Sequence, residues 1–392
     1  MPLNGIRTSI TGKGVNMWKR IVRAGLLACV ALGFAACSDS SDNANTDTLT
    51  YSYEEMGPYP VGNRTITVMN ASEGRTLDVE IWYPAASAQG TQSIADFAID
   101  EAERDELTAL LDSAPEQCTR RETSSSRDAA PISSPARLPL VIFSHCFECT
   151  RYSSFSLAER LASHGIAVAA PDHARNTLFD TGAMLSVEFL ATRASDVSAV
   201  LDELLTENSQ ALPESLQGRF DAERVAIAGH SYGAVTAGKI LQDDPRFKAG
   251  LIIAAPVESP VFPGVAVANI EEPLLFMVAA EDNSIGTLGN IFIGTNFDAA
   301  AAPAWKVEIA DAGHWSFSDI AGLVPAFNAG CGGGVRQTVP GDPFTYLDNA
   351  LARDITATYG MLFFASQLLD DPAALEALQT SILPDIVDVQ VK

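Results

Sequence analysis

Between residues 138 and 309, short apolar runs alternate with segments of helical spacing. Leu138–Ser144 is a continuous apolar run of the kind that strands buried on both faces carry. Ser156–Ser163 has helical spacing and ends at Gly165. Ile166–Ala170 is the next strand, Ala194–Leu205 an amphipathic helix, Val225–Ala228 a strand and Val235–Leu241 a helix. Leu251–Ala255 and Leu274–Ala279 are further strands. Val307–Ile309 is the last expected strand, and a helix over Arg353–Leu369 closes the core. Strands alternating with helices predict an α/β fold with a mainly parallel central sheet and helices on both faces. With 392 residues and 47% hydrophobic composition, one large domain can bury a core of that size.

The N-terminus is read apart from that domain. Met17–Arg23 is basic, Ala24–Ala36 is apolar, and Ala35 and Ala36 stand directly before Cys37. The pattern is that of an export signal, too short to span a bilayer. Gly33–Cys37 resembles a bacterial lipoprotein cleavage box, whose cysteine becomes the lipid-modified first residue. Phe34 stands where an aliphatic residue is commoner. The alternative is an ordinary secretory signal with an incidental cysteine, and the start is Met1 or Met17. Residues 38–56 are polar and read as a tether, leaving 57–392 as the domain. The expected location is the cell envelope, or otherwise the periplasm or exterior, with membrane contact only through the anchor.

The full chain has a net charge of −24. Loss of the leader removes five Lys/Arg and no Asp/Glu, so the mature chain is more acidic still. Such a surface repels nucleic acid and anionic membranes, and fits solubility or salt tolerance rather than binding. Nothing suggests an oligomer, and a monomer is expected.

Ahead of the alternating region, Thr65–Met69 and Leu77–Tyr83 read as strands around a polar turn at Asn70–Gly74. Ile94–Leu111 has helical spacing. Ser113–Arg137 is rich in Ser, Pro and Arg and reads as a surface loop carrying Cys118. Four cysteines remain after the leader: Cys118, Cys146, Cys149 and Cys331. In an exported protein they are disulfide candidates, with three pairings open. Cys146–Cys149 is a C-x-x-C run. With no second such run and no histidine pair at ligand spacing, it reads as structural rather than as a metal or redox site. No metal or cofactor is implied.

Gly229-His230-Ser231-Tyr232-Gly233 follows an apolar run and precedes a helical one. Alone, G-x-S-x-G is a weak pattern. Between a buried strand and a helix, it holds a serine on a sharp turn above the sheet. A serine needs a base to attack near neutral pH. In such sites the partners follow in the order serine, acid, histidine. Of five histidines, His145, His164, His173 and His230 precede Ser231 and only His314 follows it. His314 is therefore the expected general base and acid. The acid is expected after Leu274–Ala279, at Asp282, with Glu281 the runner-up. Two backbone N–H groups should hold an oxyanion: that of Tyr232, and that of Phe147 in the loop after Leu138–Ser144. Phe147, Tyr232, Trp315 and Phe317 cluster near these loops in sequence. Trp315 and Phe317 are the expected pocket residues, though core packing fits them equally.

From about residue 57 to 370 the chain resembles the branch of α/β-hydrolases that includes platelet-activating factor acetylhydrolases, dienelactone-hydrolase-like esterases and cutinase-like polyester hydrolases. The resemblance rests on Leu138–His145, Leu161–Gly165, Ala170–His173, the Ser231 motif, Pro273–Asp282 and Gly313–Asp319. It implies an α/β-hydrolase fold and a serine esterase. Three departures matter. Cys146 stands where the branch has Gly, which suggests a loop held by a disulfide. Ile252–Pro256 lacks the Asp that the acetylhydrolases carry there, so the acid falls after the next strand, as in the cutinase-like enzymes. Dienelactone hydrolases use Cys where this chain has Ser231.

The reading that follows is a carboxylic ester hydrolase working through Ser231, His314 and Asp282 and an acyl-enzyme, acting on a small-molecule or lipid-like ester. The alternatives are a lipase, phospholipase or polyester hydrolase, and a non-catalytic binding protein of the same fold.

Overall fold

The computed structural model describes residues 52–180, 182 and 185–392. The expected signal, Cys37 and most of the tether lie outside them. Ten strands form one sheet. In chain order they are β1 (Val61–Asn70), β2 (Arg75–Pro84), β3 (Ser126–Arg127), β4 (Leu138–Ser144) and β5 (Ala167–Pro171). They continue as β6 (Phe220–His230), β7 (Phe247–Ile253), β8 (Leu274–Ala279), β9 (Ala304–Ile309) and β10 (Val387–Val391). The spatial order is β10-β9-β8-β7-β6-β4-β5-β2-β1-β3. The six strands from β5 to β9 run parallel. β1, β2 and β10 are antiparallel to their inner neighbours.

Every residue of β4 and β8 is buried, as expected of strands covered on both faces. Helices α1 (Glu101–Ser113), α2 (Phe155–Ser163) and α6 (Asn349–Leu368) pack on one face of the sheet. Helices α3 (Val187–Leu205), α4 (Tyr232–Asp243) and α5 (Gly286–Ala299) pack on the other. A short helix α7 (Pro372–Ala377) follows α6.

Two expectations need correcting. Val307–Ile309 belongs to β9 but is not the last strand, because β10 pairs with β9 at the sheet edge. The stretch 113–137 is not simply a surface loop. Cys118, Thr119, Thr123, Ser125 and Ser126 are buried. Glu159 of α2 draws the chain inward: it accepts bonds from Ser124 N (2.6 Å), Ser125 N (2.9 Å) and Ser125 Oγ (2.8 Å). Arg120 pairs with the same carboxylate at 2.9 Å. A buried carboxylate needs such partners, and the polar residues supply them. Residues 53–57, placed at the tether boundary by sequence, are also tied to the body. Arg160 bonds Tyr53 O (2.7 Å), and Gly57 N bonds Ser163 Oγ (2.8 Å). Among the described residues no helix is long and apolar enough to cross a membrane.

The cysteines pair as Cys118–Cys331 and Cys146–Cys149. The first links positions 213 residues apart, so its removal frees a long loop in the unfolded chain. Replacing both cysteines by Ala is expected to lower the unfolding free energy by about 2–5 kcal/mol in chemical denaturation. A change within about 0.5 kcal/mol would contradict a stabilising role.

Candidate active site

Ser231 sits between β6 and α4 at φ 56°, ψ −118°. For a non-glycine residue this backbone costs on the order of 1–3 kcal/mol and needs support on both sides. The support is steric and bonded. A Cβ on Gly229 would lie 2.1 Å from Gly233 O, and one on Gly233 would lie 1.9 Å from Ser144 O. Only glycine permits either approach. Ser231 N then bonds Ile253 O at 2.8 Å. The serine side chain makes no capping bond to α4, which leaves Oγ to face the adjoining loops.

His314 Nε2 lies 2.8 Å from Ser231 Oγ, and His314 Nδ1 lies 2.8 Å from Asp282 Oδ2. Asp282 and His314 are buried. The other oxygen of Asp282 accepts from Ser284 N (3.0 Å) and Ile285 N (3.1 Å), which fixes the carboxylate. Glu281, the alternative acid, turns away. It accepts from Gln337 N (2.6 Å), from Arg336 Nη1 (3.1 Å) and from the Thr338 hydroxyl. The structure therefore brings Ser231, His314 and Asp282 together and leaves Glu281 out.

Tyr232 opens α4, so its N–H is among the unpaired donors of a helix N-terminus. Phe147 lies in the loop after β4, and both residues line an apolar cavity of about 290 Å³ that also contains Ser231. Val235, Phe262, Ile285 and Phe292 supply further wall. Leu185, Val261 and Leu288 line the same cavity and are more than half exposed (52%, 67% and 60%), so its mouth is apolar too. The Cys146–Cys149 disulfide closes the loop that carries Phe147.

Trp315 and Phe317 do not line this cavity. Both are buried against the histidines instead. Trp315 packs on Phe327 with centroids 3.9 Å apart and meets His230 edge-on at 5.6 Å. Phe317 lies 6.2 Å from His230. Sequence reasoning missed the walls from α5 and the 256–262 loop. Ile285, Leu288 and Phe292 recur at helical spacing, but two glycines within that stretch masked the helix. It also missed His230, whose Nε2–H donates to His314 O at 2.9 Å. Among the described residues no group of three His, Cys, Asp or Glu is arranged to hold a metal.

A family model described as platelet-activating factor acetylhydrolase, isoform II, matches residues 47–186. One described as serine aminopeptidase, S33, matches residues 137–270, a span that includes Ser231. The structure of a ferulic acid esterase from Streptomyces cinnamoneus superposes with a TM-score of 0.64 at 23% identity, covering 85% of this chain and 96% of that one. The chain is an α/β-hydrolase by fold. Among curated relatives, the chain is 29% identical over 182 residues to platelet-activating factor acetylhydrolase of Cavia porcellus, covering 38% of this chain and 41% of that enzyme. It is 35% identical over 102 residues to cutinase est1 of Thermobifida alba, covering 26% of this chain and 30% of that one. The matches thus span well under half the length of these relatives.

Three histidines of this hydrolase fold, His145, His173 and His230, are fully buried, and burial holds each imidazole well below its usual range. The unfolded chain takes up a proton at each below about pH 6.5, whereas the native chain does not. All three therefore act to weaken the fold as pH falls. NMR titration is expected to find these three imidazoles neutral and unchanging from pH 8 down to about 5.5. A midpoint near 6.5 for any of them would contradict the burial described.

Proposed function

We propose that the chain is a serine carboxylic ester hydrolase in which Ser231 is the nucleophile, His314 the general base and acid, and Asp282 the orienting carboxylate. The observation that carries this reading is the unbroken hydrogen-bonded series Ser231–His314–Asp282 beside an apolar cavity. Ser231 Oγ attacks the ester carbonyl carbon and passes its proton to His314 Nε2. Asp282 Oδ2 accepts the Nδ1–H bond and stabilises the imidazolium. The tetrahedral oxyanion is held by the N–H groups of Tyr232 and Phe147. Collapse expels the alcohol, which takes the proton from His314. Water then attacks the acyl-enzyme with His314 again as base, releasing the acid and restoring Ser231.

The cavity selects for an apolar group on the ester. Among the described residues no charged side chain lines it, and a net charge of −24 works against anionic substrates. A second reading, action on lipids or polyesters, is favoured by the exposed Leu185, Val261 and Leu288 at the mouth. The names of the acetylhydrolase and cutinase relatives support an ester substrate in either case. Two disulfides suit an oxidising compartment and support export. Anchoring through Cys37 and a monomeric state belong to the same proposal.

Steady-state hydrolysis of p-nitrophenyl esters tests the roles. Ser231→Ala is expected to lower kcat by about 10⁶-fold and Asp282→Asn by about 10⁴-fold, each with a native circular dichroism spectrum. Glu281→Gln should retain kcat within about threefold, because its carboxylate faces Arg336 rather than His314. Turnover retained by a folded Ser231→Ala chain would overturn the assignment, and a collapse in Glu281→Gln alone would transfer the acid role to Glu281.

A further inference from the structure

Behind the loop that carries Phe147 lies a second set of buried polar side chains. Arg193 of α3 is fully buried. Its Nη2 donates to His145 O and, at 3.1 Å, to Ser144 Oγ. Its Nη1 donates to Asn176 Oδ1 at 2.6 Å, and its Nε to Thr236 Oγ1 at 3.1 Å. The guanidinium carbon stands 4.6 Å from the centre of the Tyr232 ring. Thr236 Oγ1 in turn donates to Tyr232 O at 3.0 Å. One planar fork therefore touches the end of β4, the following loop and the first turn of α4. Those are the two segments that supply the Phe147 and Tyr232 N–H groups.

The loop peptides are fixed further by the histidines. His145 Nδ1–H donates to Cys146 O at 2.6 Å, and His145 Nε2 accepts from His173 N at 3.0 Å. His173 Nε2 accepts from the Ser144 hydroxyl at 2.9 Å, and its Nδ1–H donates to Asp196 Oδ2 at 2.9 Å. Asp196 lies three residues after Arg193 on α3 and is further held by Arg75 and by Asn70 Nδ2 (2.9 Å). In a trans peptide the C=O of one residue and the N–H of the next point in opposite directions. Pinning Cys146 O therefore orients the Phe147 N–H, and pinning His145 O orients the peptide before it.

We propose that Arg193 is a positioning residue for the oxyanion hole, spacing and aiming the Phe147 and Tyr232 N–H groups by clamping the His145 carbonyl on one side and the start of α4 on the other. Among the described residues Arg193 makes no ion pair with a carboxylate, although a buried charge is costly without one. Burial pulls its guanidinium down to about 9, so it is charged at neutral pH. It spends that charge on neutral acceptors around the candidate oxyanion site. Lysine lacks the planar fork and cannot make these bonds together.

The inference rests on the ester-hydrolase reading, and the test separates the two. The full chain is compared with Arg193→Lys, Thr236→Val and Thr236→Ser for p-nitrophenyl butyrate turnover, for inhibition by an alkyl trifluoromethyl ketone, and for thermal unfolding. The ketone forms a tetrahedral oxyanion, whereas the ground-state ester does not. Arg193→Lys is expected to lower kcat by about 10- to 100-fold, to leave KM within about threefold, and to weaken the ketone by the same factor as kcat/KM. Thr236→Val should shift kcat and the ketone in the same direction by a smaller factor, and Thr236→Ser should restore both. If Arg193→Lys does not fold, the Thr236 pair decides, since it changes no charge. Unchanged kcat and ketone affinity in folded Arg193→Lys, or in Thr236→Val when only that folds, would overturn the inference alone. Activity lost only in proportion to the folded fraction would do the same. A wild-type chain that hydrolyses no ester would overturn the ester-hydrolase reading, and this inference with it.

Discussion

The contact on which the site depends is the approach of Gly233 to the end of β4. There is no room for a single methyl group between the Gly233 Cα and Ser144 O. That closeness lets α4 start directly over the parallel strands and holds Ser231 at a positive φ. The strain at Ser231 persists because the sheet and helix fix both of its flanks. The same contact brings the end of β4, and so the loop bearing Phe147, beside the first residue of α4. One steric condition thus positions both the serine and the two candidate oxyanion donors.

The remaining parts of the site are brought in by other strand ends. Asp282 follows β8, and His314 follows β9, so the parallel order β7-β8-β9 delivers the proposed acid and base to the edge where Ser231 stands. Short polar bonds then set their orientation. Two main-chain N–H groups hold the free oxygen of Asp282, and His230 holds the main-chain carbonyl of His314. Behind the loop that carries Phe147, Arg193, His173 and Asp196 form a buried polar layer where an apolar core would be simpler to build. On the proposed reading that layer serves the geometry of the reaction more than the stability of the fold.

Much of this was legible in the sequence because it is encoded locally. β4 and β8 are continuous apolar runs, and their observed ends match the expected ones. Ser231 stands in a five-residue pattern with strand and helix on either side. His314 followed from chain order, and Asp282 from its place after a strand; the structure sets all three within hydrogen-bonding reach. What escaped was encoded at a distance. β10 forms only because β9 offers an edge to residues far along the chain. The 113–137 stretch looks like a surface loop until the buried Glu159 on another element is seen to need its N–H and O–H groups. Trp315 and Phe317 adjoin His314 in sequence, yet the turn they form points them at Phe327 and His230. The cavity wall comes instead from α5, whose glycines hid its helical period.

The central claim is that Ser231 carries the acyl group during turnover. It is tested most directly by acid-quenching the enzyme within its first turnovers on p-nitrophenyl butyrate and mapping the adduct by peptide mass spectrometry. The account predicts a butyryl mass increment on the peptide containing Ser231, present in wild type and absent from Ser231→Ala. Ester turnover with the increment on another residue, or one that persists in Ser231→Ala, would contradict it.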